Sequence, residues 1–273
     1  MIFYLNNYRG FDRTFIKTTD VNILLGENST GKSSFMSIVS LLSDPEFLIQ
    51  GQFKNSYIDL GPFNEIISVL AKTKRINIGV IKTGNDSLFD KRFLFKAIYL
   101  TFDSKAGYPD LFEVALFAGN TILHIKYFEG SLKYSIIRFD KAENNIDSIK
   151  ELFESWSGTG QVSEESIKTG EINLAKTHTL PQFLKKYLLT SVFVVMESLG
   201  VERNKYLADF DEIKYATDSI IYRTQCMAPI RSKPQRIYEP ELAKYSVDGT
   251  HIPSVLRDIY LNFETKPAYK KII

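Results

Sequence analysis

The stretch Gly26-Glu27-Asn28-Ser29-Thr30-Gly31-Lys32-Ser33 fits the pattern G-x-x-x-x-G-K-[ST] at every fixed position. The apolar run that precedes it, residues 21–25, is typical of a short buried strand. After it, apolar residues recur at helical spacing until Ser43-Asp44-Pro45 interrupts them. A strand, a glycine-containing loop and a helix in this order predict a phosphate-binding P-loop.

The residue types of this stretch suit phosphate chemistry. Glycine at positions 26 and 31 permits backbone geometries in which successive amides converge on phosphate oxygens. The start of the following helix adds unpaired N–H groups and a positive dipole end. We expect Lys32 to reach the β and γ phosphates of a nucleoside triphosphate and the Ser33 hydroxyl to ligate Mg²⁺. The predicted site comprises Asn28, Ser29, Thr30, Gly31, Lys32, Ser33 and Ser34.

Composition narrows the class of protein. The 273 residues allow one large domain or two small ones, and 44% hydrophobic residues suffice for a packed core. The 34 basic residues nearly balance the 32 acidic ones, so the net charge does not by itself indicate nucleic acid or a membrane as a binding partner. Cys226 is the only cysteine, which excludes an internal disulfide and suits a reducing cytoplasm. The three histidines show no zinc-ligand spacing.

The sequence also predicts a soluble protein. Its N-terminus carries no recognisable signal peptide. The longest apolar run, residues 188–196, is interrupted by two hydroxyl residues and is too short for a bilayer core of about 30 Å. We therefore expect a cytoplasmic location and no membrane partner.

The N-terminal residues carry a family resemblance. A strand-like opening over residues 1–5 is followed by Asn7-Tyr8-Arg9-Gly10-Phe11 and a second strand-like segment at residues 14–16. With the P-loop, this order resembles the start of ABC-type P-loop ATPases of the RecF, SMC and OLD (overcoming lysogenization defect) group. Those chains typically open with a strand, an N-[YF]-[RK]-x-[FY] turn and a GxNxxGKS loop. The resemblance implies an α/β fold of the ABC-type P-loop NTPase class, with ATP as the nucleotide.

Two further site residues follow from the resemblance. In the resembled group the early basic residue lies near the nucleotide, which makes Arg9 a candidate nucleotide-binding residue. The alternative is that Arg9 is an ordinary surface arginine in a turn. The group also places a glutamine after the P-loop helix, where it contacts Mg²⁺ and the attacking water. Gln50 and Gln52 fall in about that region, and Gln52 is the candidate Mg²⁺ ligand. The alternative for both is a polar loop residue without a functional role.

The remaining chain divides by pattern. Apolar segments over 75–139, which alternate at Ile76, Ile78 and Val80 and include a two-residue turn at Gly119-Asn120, predict an antiparallel meander. Helical spacing follows over residues 146–156, 183–199 and 206–220, with a polar stretch at 157–179 that is typical of an exposed loop. We therefore expect a P-loop and antiparallel β-subdomain over 1–143, a helical insertion over 144–222 and an incomplete return toward the ATPase core over 223–273.

Some motifs of a complete ATPase are missing. Trp156-Ser157-Gly158-Thr159-Gly160-Gln161 is reminiscent of the ABC signature, and residues 192–197 of a Walker B strand. We interpret both as coincidental, because Walker B requires an aspartate for Mg²⁺ and Met196 precedes a lone Glu197. The resemblance therefore covers only the N-terminal part of an ATPase. We expect that the sequence is a fragment or that another polypeptide supplies the remaining lobe.

A basic cluster lies near the end of the sequence. Arg231, Lys233 and Arg236 stand between prolines. This pattern fits either a phosphate or nucleic-acid contact or a solvated loop, and we favour the loop.

Two function hypotheses remain. The first is the ATP-binding part of a defence-associated AAA family ATPase in phage defence or DNA repair. It would form a head-to-tail homodimer that closes on ATP and controls an effector such as a nuclease, with DNA as a further partner. The second is a non-hydrolysing nucleotide-sensing scaffold that binds a partner protein. The antiparallel region and the absence of an N-K-x-D motif argue against a P-loop kinase or GTPase.

Overall fold

The computed structural model describes residues 1–19, 21–44, 47, 53–55, 58–83, 96–139, 146–159, 166–173, 188–200 and 257. The chain divides into two compact units, Met1–Arg223 and Thr224–Ile273. Every helix and strand given below belongs to the first unit. Gln50, Gln52, the basic cluster at 231–236 and the third expected helix at 206–220 lie outside the described residues.

One eight-stranded antiparallel sheet organises the first unit, in the order β2-β1-β3-β4-β5-β6-β7-β8. The strands are β1 (Ile2–Asn6), β2 (Thr14–Lys17), β3 (Ile76–Ile81), β4 (Ala97–Lys105), β5 (Tyr108–Ala118), β6 (Thr121–Phe128), β7 (Ser131–Arg138) and β8 (Ser166–Asn173). With the helices on its faces, the fold is mixed α/β, which confirms the predicted class in its coarse form.

The predicted antiparallel meander is present among the described residues of 75–139. Strands β3 to β7 pair in sequence, and Gly119 and Asn120 form the two-residue turn between β5 and β6. The prediction of an exposed loop over 157–179 is wrong. Helix continues to Thr159, and Ser166–Asn173 forms β8, which pairs with β7. Among the described strands β8 pairs only with β7, and its residues 168–173 are exposed or partly buried, which agrees with its polar sequence.

Both faces of the sheet are covered. Helix α1 (Lys32–Leu42), the single turn α2 (Phe63–Ile66) and helix α4 (Leu188–Leu199) contribute buried side chains to the core on one face. Helix α1 ends near Ser43, as its apolar spacing predicted, and its Phe35 ring meets Phe3 of β1 edge-on at 5.3 Å between centroids. Among the described helices, none is long and apolar enough to cross a membrane.

Helix α3 (Ile146–Thr159) covers the opposite face of the sheet. Ile149, Phe153 and Trp156 of this helix are buried, which confirms the predicted apolar face. Phe153 packs on the backbone of Gly79 in β3, where a Cβ atom would stand 2.4 Å from its ring. The glycine therefore lets the helix approach the sheet closely.

Residues 21–25 differ from the predicted buried strand. They join no strand of the described sheet, and Val21, Ile23 and Leu25 are about 80% exposed (80%, 78% and 86%). An all-apolar run of this kind is buried only where neighbouring strands and layers cover both of its faces. The described residues supply no such neighbours. The local sequence pattern therefore predicted burial that the structure does not show.

We expect Gly79→Ala to lower the free energy of unfolding by about 1–3 kcal/mol, because the new methyl group overpacks against Phe153. Urea unfolding followed by circular dichroism measures this loss. Gly10→Ala is the matched control, since nothing lies within 4 Å of its Cβ position. Equal stability of the two variants would contradict the close approach of α3.

Candidate functional site

A cavity of about 570 Å³ lies at the start of helix α1. It brings together two segments that are distant in sequence, the turn after β1 and the predicted P-loop. The lining residues are Arg9, Gly10, Phe11, Asn28, Ser29, Thr30, Gly31, Lys32, Ser33 and Ser34. All predicted site residues except Gln52, which is outside the described residues, therefore line one cavity.

The loop that enters α1 depends on unusual backbone conformations. Ser29 and Gly31 have φ values of 66° and 91°, in the left-handed region. Gly31 is also the N-cap residue of α1, and a Cβ atom there would stand 2.9 Å from the Phe11 ring. Glycine is thus required at position 31 both by conformation and by space.

The start of α1 presents free hydrogen-bond donors. The first backbone bond of the helix runs from the Phe35 N–H to the Gly31 carbonyl at 2.9 Å. Among the described residues, the N–H groups of Lys32, Ser33 and Ser34 have no acceptor. The first turn holds no acidic side chain, so nothing there offsets the positive end of the helix dipole. These features favour an anion at this end of the helix.

The Lys32 side chain folds back over its own loop. Its Nζ donates to the Gly26 carbonyl at 2.8 Å, to the Glu27 carbonyl and to Thr30 Oγ1 at 3.1 Å. Thr30 Oγ1 in turn donates to the Glu27 carbonyl at 2.9 Å. All three partners are neutral oxygens, whereas a phosphate oxygen would give a stronger charge-assisted hydrogen bond. The ammonium group is therefore held within the loop in a position to exchange these acceptors for phosphate.

Ser33 and Arg9 have different surroundings. The Ser33 side chain is exposed, and its hydroxyl makes no hydrogen bond to any residue that the structure describes. Arg9 Nη1 donates to Ser34 Oγ at 3.3 Å, and Arg9 lines the cavity. The structure thus brings Arg9 to the predicted P-loop, while its contact with a nucleotide stays a prediction.

The turn after β1 bonds to the first turn of helix α1, a role that sequence reasoning did not assign. The Tyr8 hydroxyl donates to the Ser34 carbonyl at 3.1 Å, and the Tyr8 ring stacks on Phe11 at 6.2 Å between centroids. Burial raises the pKa of Tyr8 to about 12, so the hydroxyl remains a donor over the physiological range. The aromatic positions of the Asn7-Tyr8-Arg9-Gly10-Phe11 motif were the available signal.

Acidic groups are absent from the described lining of this cavity. Glu197, the residue nearest in pattern to a Walker B glutamate, lies on helix α4 rather than at the end of a strand. Trp156, Ser157 and Gly158 likewise belong to helix α3. Both observations agree with the interpretation of these two motifs as coincidental. Within the described part of the chain, no three His, Cys, Asp or Glu side chains cluster as metal ligands.

Comparison of the chain with protein-family models, with curated proteins and with solved structures found no match. The assignment of a function therefore depends on the geometry of the cavity and on its sequence pattern.

Replacing Tyr8 with phenylalanine tests the hydrogen bond between the turn after β1 and helix α1. At pH 8 we expect Tyr8→Phe to be about 1 kcal/mol less stable, the usual contribution of one hydrogen bond. Because the folded pKa of about 12 exceeds the ordinary value of 10, the stabilisation is complete below pH 10 and is lost as the pH rises toward 12. The wild type should therefore lose about 0.8 kcal/mol at pH 10.5 that the variant does not lose.

Urea unfolding at pH 8 and at pH 10.5 measures both differences. Tyr108→Phe, which removes a hydroxyl from an exposed side chain, is the control. A stability difference between Tyr8→Phe and wild type that is the same at both pH values would contradict the buried, neutral phenol.

Proposed function

We propose that this chain binds ATP with Mg²⁺ at the cavity that begins helix α1. The observation that carries the proposal is the convergence of the Lys32 ammonium, the free N–H groups at the start of α1 and the Ser33 hydroxyl on one cavity. Each is a group that P-loops use for a triphosphate and its metal ion. A volume of about 570 Å³ lies within the range of small-molecule sites.

Each residue of the cavity would make a different contact with Mg·ATP. Lys32 would contact the β and γ phosphates after leaving the carbonyls of its own loop. The N–H groups of residues 32–34 would hold phosphate oxygens, and Ser33 would ligate Mg²⁺. Arg9 would add a positive charge at the edge of the cavity. Bound Mg²⁺ supplies charge neutralisation between the phosphates.

We propose further that the site belongs to an ABC-type ATPase of the RecF, SMC and OLD-like group. The bonding of Tyr8 and Arg9 to Ser34 supports this, because it joins the two motifs that carry the resemblance. In this proposal ATP binding closes a head-to-tail homodimer, and closure controls an effector such as a nuclease in phage defence or DNA repair. Hydrolysis would require carboxylate groups from a second lobe or subunit.

Lys32→Ala is expected to weaken Mg·ATP binding at least tenfold, because it removes a charge-assisted hydrogen bond worth about 1.5–3 kcal/mol. Isothermal titration calorimetry measures the affinity. Lys72→Ala, which removes an exposed lysine that does not line this cavity, is the matched control. Unchanged ATP affinity in Lys32→Ala would refute the assignment of the site.

A second function is favoured by one specific observation. Among the described residues that line the cavity, none carries a carboxylate that could orient an attacking water. The site could then serve a non-hydrolysing nucleotide-sensing scaffold that binds a partner protein. Such a protein would couple nucleotide binding to partner binding without turnover.

Phosphate release from Mg·ATP distinguishes the two functions. For the chain assayed alone, we expect ATP binding with phosphate release no faster than in the Lys32→Ala variant, since none of the described residues that line the cavity carries an activating carboxylate. Release that depends on Lys32 would exclude the scaffold and would require a carboxylate from residues outside the described part.

A further inference from the structure

A second cavity, of about 440 Å³, lies on the sheet face that α3 covers. Its lining comes from three places in the fold. Asn77, Thr101 and Glu113 belong to the neighbouring strands β3, β4 and β5, and Trp156 belongs to the last turn of α3. Thr73, Lys74 and Arg75, which precede β3, also line it. It shares no lining residue with the P-loop cavity.

We propose that this cavity binds a small oxoanion, a carboxylate or a phosphate, through Arg75 and Lys74. The proposal does not depend on the function assigned to the P-loop. It follows from hydrogen-bond donors that the fold holds in place at this cavity and leaves without acceptors.

Arg75 is held in place before any ligand arrives. Its guanidinium carbon lies 3.9 Å from the centroid of the Phe112 ring, and its Nε lies 3.8 Å from Asp103 Oδ2. Its two terminal nitrogens have no hydrogen bond to any described residue. A guanidinium that stacks on a ring and has a carboxylate beside its Nε keeps its two terminal nitrogens for two parallel bonds to a carboxylate or phosphate.

The backbone that carries Arg75 and Lys74 is fixed as well. Asn7 Nδ2 donates to Thr73 Oγ1 at 2.9 Å and to the Arg75 carbonyl at 3.0 Å. Lys74, between them, is exposed and has no ion-pair partner among the residues that the structure describes. Because the segment is already ordered, an anion would bind it without a large entropic cost.

The two acidic side chains of the cavity are already paired. Asp103 faces the Arg75 Nε, and Glu113 Oε1 bonds His124 Nε2 and lies 3.6 Å from Lys126 Nζ. The amide of Asn77 is also occupied, since its Nδ2 donates to Thr101 Oγ1 at 3.1 Å. Among the described lining residues, the side-chain N–H donors without an acceptor in the protein are the terminal nitrogens of Arg75, Lys74 Nζ and the buried Trp156 Nε1. Because these groups are donors and two of them are cationic, the cavity suits an anion rather than a cation.

Trp156 provides a local reporter, because it lines this cavity and is the only tryptophan in the sequence. The Lys32→Ala chain should be titrated separately with inorganic phosphate and with succinate at constant ionic strength. This background removes the main cation of the P-loop, which would otherwise also bind phosphate. We expect a saturable change in tryptophan fluorescence with at least one of the two anions, and the anion that produces it identifies the preferred chemistry.

Variants then locate the binding. Arg75→Gln and Lys74→Gln, each added to Lys32→Ala, should weaken the anion at least tenfold and about threefold to tenfold, respectively. Lys72→Gln, two residues from Lys74 and outside the cavity lining, should have no effect. If Arg75→Gln does not fold, as judged by circular dichroism, the anion titration of Lys74→Gln, which changes an exposed residue, tests the proposal instead.

Two results would overturn the proposal. The first is a fluorescence signal that does not saturate with either anion. The second is a saturable signal whose midpoint is the same in Lys74→Gln as in Lys72→Gln.

Discussion

The left-handed turn at Asn7 and Arg9 is the constraint on which both cavities depend. These residues have φ values of 55° and 48°, a conformation that costs a non-glycine residue about 1–3 kcal/mol unless its surroundings hold it. The surroundings do so through the backbone, since the Arg9 N–H donates to the Ile66 carbonyl at 2.8 Å and the Ser68 N–H to the Asn7 carbonyl at 2.9 Å. The turn is thereby fixed at the end of β1, an inner strand of the sheet.

From this fixed point the turn contacts two separate parts of the fold. Tyr8 and Arg9 bond Ser34, so the first turn of α1 is tied directly to the sheet. Asn7 bonds the Thr73 side chain and the Arg75 carbonyl, and so orders the segment before β3. Adjacent residues of one turn thus support the two sets of cationic donors described above. A change of backbone at Asn7 would disturb both, whereas a change at Lys74 would disturb only one.

Much of this architecture could be predicted from local sequence. Apolar segments separated by turn residues located the meander, and helical spacing located α1 and the buried face of α3. Strand β8 was not predicted, because its sequence is polar and shows no apolar periodicity. The assembly of residues 9–11 with the P-loop followed from motif resemblance. The Arg75 cavity could not be predicted, because its residues come from three strands, a loop and a helix that only the fold brings together.

The exposed residues 21–25 show which features of the predicted P-loop depend on local sequence and which depend on distant residues. In the proposed function, phosphate binding depends on groups that lie within a few residues of one another, namely the loop amides, Lys32 and Ser33. These groups line one cavity even though the preceding apolar run is exposed. Hydrolysis depends on a carboxylate from a distant part of the sequence, and none lines the described cavity. Burial of residues 21–25 also requires distant partners. In the proposed function, ATP binding and hydrolysis are therefore separable. Binding uses groups that are close in sequence, whereas hydrolysis, like the burial of residues 21–25, requires long-range packing that the described residues do not supply.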